Sequence, residues 1–339
     1  MDQESPRPDW LDAALQQELK RLTCPGMSAG FIDVGNTLQA AAVGIQRVGS
    51  DTPLRATDAL HLGSCTKALT ALLIADAIGA GQLRFTTKLG ALSPLWKKSL
   101  WADRTIDDVL RHKAGLPENA TWWALAGSGR DITAQRRDVL NTKWLAGSKR
   151  VTPGKFSYSN IGYVVLGSVI DNVYGMPYED VLQLRIARPN LLQSVGFGVP
   201  GNVYGHRLTP TGYVATTVDN PPVMNSAGRL HMSMGDWLQT ARLHMTSNTF
   251  VDSNVRRALQ ESRVDGGYAG GWIVLNRSWA AGPALTHAGS NTFWMSVMWV
   301  APNTGRAFAA VANAAGDAVA QGLDRVIATM IRNSGPARG

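Results

Sequence analysis

The sequence predicts an α/β chain of the α+β type. One antiparallel β-sheet is built from both chain ends, flanked by helices, with a helical lobe inserted between the two sheet-forming parts. Strand-like runs gather at the two ends of the chain. Helical patterns dominate the middle, around a nearly all-apolar run after Ser64. No internal repeat or low-complexity linker divides the chain. The expectation is one domain over 1–339, with a sheet lobe at about 10–60 and 265–335 and a helical lobe at about 61–264.

Residues 10–22 read as an amphipathic helix, with Leu11, Leu15, Leu19 and Leu22 on one side. Pro25-Gly26 breaks it. Residues 27–34 and 38–48 alternate loosely about Gly35-Asn36, the pattern of a β-hairpin. Gly26-Met27-Ser28-Ala29-Gly30 fits the G-x-S-x-G pattern, but that motif requires strand, sharp turn and helix. A β-rich run follows Ser28, so this serine is set aside as a decoy. A helix is expected from Ser64 to about Gly79, and another opens at Thr105, with Asp108 at capping-box spacing. Residues 112–117 end it. The Trp-rich stretch 118–148 has no clear period and is a candidate cleft edge.

A Pro153-Gly154 turn leads to the polar trio Tyr158-Ser159-Asn160, then to an apolar helix over 163–173. Residues 182–223 read as loop-rich. Ser233 opens a helix to about His244, and 253–262 form a short one. Strands follow at 271–275, from 286 to 290, at 293–300 and at 306–311, the last two joined by the turn Pro302-Asn303-Thr304-Gly305. A helix over 317–331 closes the pattern.

Hydrophobic residues make up 45% of the 339 and charged residues 17%, which excludes a disordered chain and supplies a large core. The net charge is +8, but Lys and Arg form no run or stripe, so specific nucleic-acid binding is not expected. No apolar run approaches a transmembrane span of about 20 residues. The start, Met1-Asp2-Gln3-Glu4-Ser5-Pro6, is no signal peptide. As written the chain reads as cytoplasmic; a processed form given a new start would belong to the periplasm or cell envelope. Two cysteines, Cys24 and Cys65, make neither a disulfide framework nor a zinc spacing. The six histidines form no H-E-x-x-H or close pair, so neither a metal nor another cofactor is expected. The oligomeric state is left open.

Ser64 is the one serine with a lysine three residues on, Lys67. Three residues apart at a helix start, the two side chains share a face. The run after them is apolar nearly all round, so the helix should be buried and Lys67 desolvated. A buried amine near the positive end of a helix has a lowered pKa, which suits it to take a proton from Ser64. Cys65 lies about 100° further round and reads as packing under the site. The bland alternative is that Ser64 caps the helix while Lys67 snorkels to solvent.

Ser64-x-x-Lys67, then Tyr158-Ser159-Asn160, then His287-Ala288-Gly289 resemble the three motifs of the serine β-lactamase and penicillin-binding superfamily, nearest its class C β-lactamase-like branch. Flanks agree: Leu110-x-His112-x-Ala114-Gly115-Leu116, Pro153-Gly154-x-x-Phe156, and Ala227-Gly228-x-Leu230 followed by Asp236. The resemblance spans roughly 20–330 and implies a β-lactamase/transpeptidase-like fold. It implies a nucleophilic Ser64 that forms an acyl-enzyme, with Lys67 and Tyr158 sharing the proton work; which of them is the base stays open. It also implies that Asn160 bonds Lys67 or the substrate, and that the N–H groups of Ser64 and Ser290 hold the oxyanion. His287 would face the cleft from the strand edge, and Gly289 would let substrate pass close to the backbone.

His287 departs from the lysine that many true β-lactamases carry there, which weakens the expectation of a carboxylate on the substrate. The function expected is a serine hydrolase of small esters, amides or D-peptides, or β-lactams. The alternative is a penicillin-binding sensor-like protein on the same fold, acylated but slow to turn over. Trp122 and Trp123 are candidates for pocket lining, with packing between lobe and body as the equal alternative.

Overall fold

A computed structural model describes residues 8–33, 37–145, 151–246, 248–262, 264 and 266–334. Its strands are β1 (Gly26–Ile32), β2 (Leu38–Gly44), β3 (Leu60–His61), β4 (Gly196–Phe197), β5 (Gly205–Thr209), β6 (Gly212–Thr216), β7 (Leu230–Met232), β8 (Gly267–Ala269), β9 (Trp272–Arg277), β10 (Gly282–Ser290), β11 (Met295–Ala301) and β12 (Arg306–Ala312).

Seven of these make one antiparallel sheet in the order β2-β1-β12-β11-β10-β9-β8, so both chain ends do supply it. The seam is the pairing of β1 with β12, where Met27 lies opposite Ala312 and Ile32 opposite Ala307. Both faces of the seam are covered, and every residue of β1 and β12 is buried. That explains the weak period-2 signal of β1: a strand buried on two faces has no polar side to alternate with. On one face lie the terminal helices Asp9–Leu22 and Asp317–Asn333, which pack Leu11, Leu15, Leu323 and Ile327 against Phe31 and Phe308. On the other lies the main core, formed with the helices of the middle of the chain.

The middle is organised around the Thr66–Gly79 helix, buried from Thr66 through Ala77. Its surroundings are mostly apolar, as its sequence requires, and its few polar side chains find partners: Thr70 on Tyr178 and Ser226, Asp76 on Tyr174 and Arg185. Asn160–Tyr174 packs beside it. A buried charge cluster ties this region together. Arg136, fully buried, forks onto Asp171 through Nε and Nη2 at 2.9 Å each, and onto Glu179 through Nη1 at 2.8 Å. Arginine alone offers that planar double fork.

Several expectations shift. The α-helix begins at Thr66, and Ser64 sits in a 3₁₀ turn over Gly63–Cys65. Ser64 and Lys67 still meet across that junction. The helix expected from 163 begins at Asn160, because the Ser159 hydroxyl accepts from the Gly162 N–H and caps it. The loop-rich stretch 182–223 holds β4, β5 and β6, all short. β8 carries too few residues to register, and β10 starts at Gly282, ahead of the expected 286. The capping box at Thr105 and Asp108 has both bonds. Ser28 lies mid-strand with its hydroxyl on Ala41 O at 2.9 Å, as a decoy should. The Gly35-Asn36 turn lies outside the described residues.

Candidate active site

The serine turn is built by close approach. β3 pairs with β7, His61 opposite His231, and delivers the chain to Gly63. Gly63 has φ of 50°, and a Cβ there would lie 2.5 Å from Ser290 N. Any side chain would push β10 away, so only glycine fits. Gly289 faces the same turn: a Cβ would lie 2.1 Å from Leu62 O and 2.8 Å from Ser64 N. The space at Gly289 is therefore taken by the chain itself. The Leu62–Ser64 backbone fits against β10 here because Gly289 has no side chain.

Ser64 is partly exposed, whereas Lys67 is 0% exposed. Lys67 Nζ lies 3.1 Å from Ser64 Oγ, 2.9 Å from Asn160 Oδ1 and 2.6 Å from Ala227 O. It also sits 4.9 Å from the centre of the Tyr158 ring. Among the described residues no carboxylate is bonded to it, and burial pushes the amine down to about 7. Lys67 does not snorkel. Cys65 turns the other way, its thiol on His287 O and burial pushing it up to about 12, so it is inert packing.

Tyr158 reaches the Ser64 side chain from the loop ahead of the Asn160–Tyr174 helix. Burial raises its phenol well above the ordinary value, while a hydrogen bond with the Ser64 side chain pulls it back. Its ring lies 4.4 Å from that of His112, whose Nδ1 accepts the Ser159 N–H at 3.1 Å. His112 thus fixes the Tyr158-Ser159-Asn160 corner. Asn160 donates Nδ2–H to Asn119 Oδ1 at 2.9 Å, which turns its carbonyl oxygen toward Lys67.

β10 supplies the third wall. Its last residue paired with β9 is Thr286, opposite Ile273, so residues 287–290 form a free edge on that side. His287 lies on that edge, 5% exposed, with Nδ1 donating to Ala288 O at 2.6 Å and Nε2 accepting from the Tyr268 hydroxyl at 3.1 Å. A cavity of about 940 Å³ opens here, with Tyr158, Phe156, Tyr268, Ile273, His287 and Ala288 in its lining. Neither Trp122 nor Trp123 lines it. Trp123 is 67% exposed, and Trp122 donates to Asn119 Oδ1 at 3.1 Å, one residue removed from Asn160.

Residues 11–329 match the Beta-lactamase family. The chain belongs to that family. It is 24% identical over 316 residues to penicillin-binding protein 4 of Amycolatopsis lactamdurans, covering 85% of this chain and 81% of that protein. It is 26% identical over 251 residues to an unguisins hydrolase of Aspergillus violaceofuscus, covering 67% of this chain and 44% of that longer protein. Among solved structures, the D-amino acid amidase of Ochrobactrum anthropi SV3 aligns with a TM-score of 0.81 at 18% identity, covering 96% of this chain and 99% of the other. The class C beta-lactamase of Rhodobacter sphaeroides aligns at 0.77 and 19%, covering 96% and 100%.

In this beta-lactamase-family chain the three sequence motifs come together in space: Lys67 contacts Ser64 and Asn160, and the Tyr158 ring lies 6.3 Å from that of His287. Three neighbours carry no signal in the sequence: Asn119, which holds Asn160, Tyr268, which holds His287, and Asp219, which lies behind the serine turn; Ala227, known from sequence only as a flank, places its carbonyl on Lys67. All are brought in by long-range packing. Among the described residues no three His, Cys, Asp or Glu are grouped to hold a metal, and no helix is long and apolar enough to cross a membrane.

Proposed function

We propose that the protein is an acyl-transferring serine hydrolase that acts on small esters, amides or D-peptides, or β-lactams, with Ser64 as nucleophile and Lys67 as its base. The observation that carries this is the surroundings of Lys67 Nζ. Two of its acceptors, Asn160 Oδ1 and Ala227 O, are fixed and can only accept. In the neutral amine they take up both hydrogens, so the lone pair is left for the Ser64 hydroxyl proton at 3.1 Å. With its pKa lowered to about 7, much of Lys67 is in that form at neutral pH.

Tyr158 enters as a phenol, because burial disfavours its phenolate. It is a proton donor on the same oxygen. Ser64 Oγ bonds to the substrate carbonyl carbon as its proton moves to Lys67 Nζ. The carbonyl oxygen becomes an oxyanion, received by the N–H groups of Ser64 and Ser290. As the C–O or C–N bond breaks, the leaving group takes a proton from Tyr158, which regains one from Lys67. Water then cleaves the acyl-enzyme with the same two groups carrying its proton. His287 is neutral and engaged at both ring nitrogens, so it offers no fixed cation to a substrate carboxylate. That favours esters and peptides over β-lactams as turned-over substrates.

The test is intact-protein mass spectrometry after incubation with p-nitrophenyl acetate and with a chromogenic cephalosporin, beside Ser64→Ala. An adduct on the parent that is absent from Ser64→Ala is expected, short-lived for the ester and persistent for the cephalosporin. Rapid loss of both would make the protein a β-lactamase, and persistence of both a sensor. Release of p-nitrophenol by Ser64→Ala at the parental rate would refute the mechanism.

A further inference from the structure

We propose that Asp219 is a positioning residue that clamps the two halves of the oxyanion site together, through His61 on one side and Asn291 on the other. The proposal rests on the reading above that the Ser64 and Ser290 N–H groups receive the oxyanion. Those two groups lie far apart in sequence, one on the turn after β3 and one at the end of β10. Glycines at 63 and 289 let the segments touch. Touching does not fix their relative position, which oxyanion stabilisation needs to a fraction of an ångström.

Asp219 lies between β6 and the short helix Asn225–Gly228, and its side chain is 6% exposed. Oδ2 lies 3.3 Å from His61 Nε2. The other nitrogen of His61, Nδ1, accepts the Gly63 N–H at 3.1 Å, so the ring proton belongs on Nε2, which faces the carboxylate at ion-pair distance without a hydrogen bond between them. Gly63 is the residue before Ser64, and its amide is thereby held. On the other side Asp219 Oδ1 accepts from Asn291 Nδ2 at 2.9 Å. Asn291 follows Ser290, and its own Oδ1 accepts the Phe293 N–H at 3.2 Å. Between them Thr292 has φ of 82°, a costly conformation for a β-branched residue, with its N–H on Ser290 Oγ. The turn after Ser290 is over-determined, and Asp219 anchors it.

A third arm reaches the Lys67 side. Arg229 Nε bonds Asp219 Oδ2 at 3.1 Å, and its Nη1 bonds Asn225 Oδ1 at 2.6 Å. Asn225 belongs to the same short helix as Ala227, whose carbonyl holds Lys67. Burial alone would raise the Asp219 carboxyl, but the contacts of His61, Asn291 and Arg229 hold it below the ordinary range. It therefore stays a carboxylate at neutral pH.

The decisive variant is Asp219→Asn, which keeps the shape and the acceptor for Asn291 but removes the charge that keeps the His61 proton on Nε2. The comparable loss of a carboxylate partner in other hydrolases acts through the wrong histidine tautomer. Three readouts are needed: acylation of Ser64 by p-nitrophenyl acetate, affinity for phenylboronic acid, whose tetrahedral adduct places an oxygen in the oxyanion site, and the ring ¹⁵N signals of His61. Expected are an acylation rate lower by about 10²-fold with KM changed far less, boronate affinity lost in parallel, and a His61 proton moved toward Nδ1. Asn291→Ala is expected to weaken the boronate while leaving the His61 signals as in the parent. An Asp219→Asn protein that acylates within about twofold of the parent, or keeps its His61 proton on Nε2, overturns the clamp. So does a rate loss that merely follows loss of folded protein on melting. If the parent itself shows no Ser64-dependent acylation, the hydrolase reading fails and this role falls with it. A fast variant beside an active parent sinks the clamp alone.

Discussion

The Tyr268 hydroxyl donates to His287 Nε2 across 3.1 Å, and with Nδ1 on Ala288 O both nitrogens of that imidazole are spoken for. The ring is buried, and burial, then the nearby Lys67 charge, pushes its pKa down to about 3 against the opposing bond to Ala288 O. The third motif therefore presents a neutral ring to the cleft throughout the physiological range. In a ¹H–¹³C titration the Cε1–H of His287 is expected to stay flat between pH 5 and 8. A midpoint near the reference value of about 6.5 would contradict this assignment.

Buried neutral histidines also set the acid limit of the fold. His112 and His244 share the lowered pKa of His287, mainly through burial, and His206 and His231 move in the same direction. In the unfolded chain each would titrate near about 6.5. Below that pH the unfolded state binds protons that the folded state refuses. Stability is thus complete above about 6.5 and is lost as pH falls toward the folded values, by up to about 1.4 kcal/mol per pH unit for each fully buried ring. The urea midpoint should fall clearly between pH 7.5 and 5. A midpoint unchanged over that span would show that these rings are protonated or exposed in the folded protein.

With Lys67 as the proposed base, the reaction takes on the pH dependence of that amine. A base must be unprotonated, and the Lys67 amine is brought down to about 7. The value of kcat/KM for p-nitrophenyl acetate is expected to rise with pH through about 7 and level off above it. Lys67→Arg keeps a cation that does not deprotonate in a protein, and activity should drop by about 10²–10⁴-fold at every pH. A profile centred near 10, the free-lysine value, would mean that Lys67 is solvated or is not the base.

The residues proposed to do the chemistry are legible in the sequence because they travel in short motifs, each on its own element. Ser64 and Lys67 meet by local geometry alone, and Ser159 announces its cap. What holds those residues is not legible. His61 and His112 accept the Gly63 and Ser159 amides, contacts that orient the serine turn and the Tyr158 corner and that no spacing in the chain announces. Asp219 sits in a Pro- and Asn-rich stretch with no period, and its partners His61, Arg229 and Asn291 come from three separate parts of the chain. Tyr268 lies on β8, a strand of three residues, too short for alternation to register. Such contacts follow from how the sheet and helices pack, and one-dimensional spacing does not encode them.

The last prediction separates a glycine that the site requires from one that it does not. A Cβ on Gly289 would stand 2.1 Å from Leu62 O and 2.8 Å from both Ser64 N and Ser296 Oγ. The first is backbone, so β10 or the serine turn must give way. Gly289→Ala is expected to cut kcat/KM for p-nitrophenyl acetate by at least about 10²-fold, the scale of losing one oxyanion donor, and to cost about 1–3 kcal/mol in stability as an overpacked contact. Gly79 is the last residue of the Thr66–Gly79 helix and has no left-handed backbone; a methyl group added to its Cα would meet nothing within 4 Å. Gly79→Ala should leave kcat/KM unchanged and raise stability by about 0.4–1 kcal/mol, by narrowing the unfolded ensemble. Urea unfolding and ester kinetics on the two variants side by side decide it. If Gly289→Ala retains parental kinetics, the serine turn and β10 are not in the contact described, and the oxyanion site built from Ser64 and Ser290 loses its geometric basis.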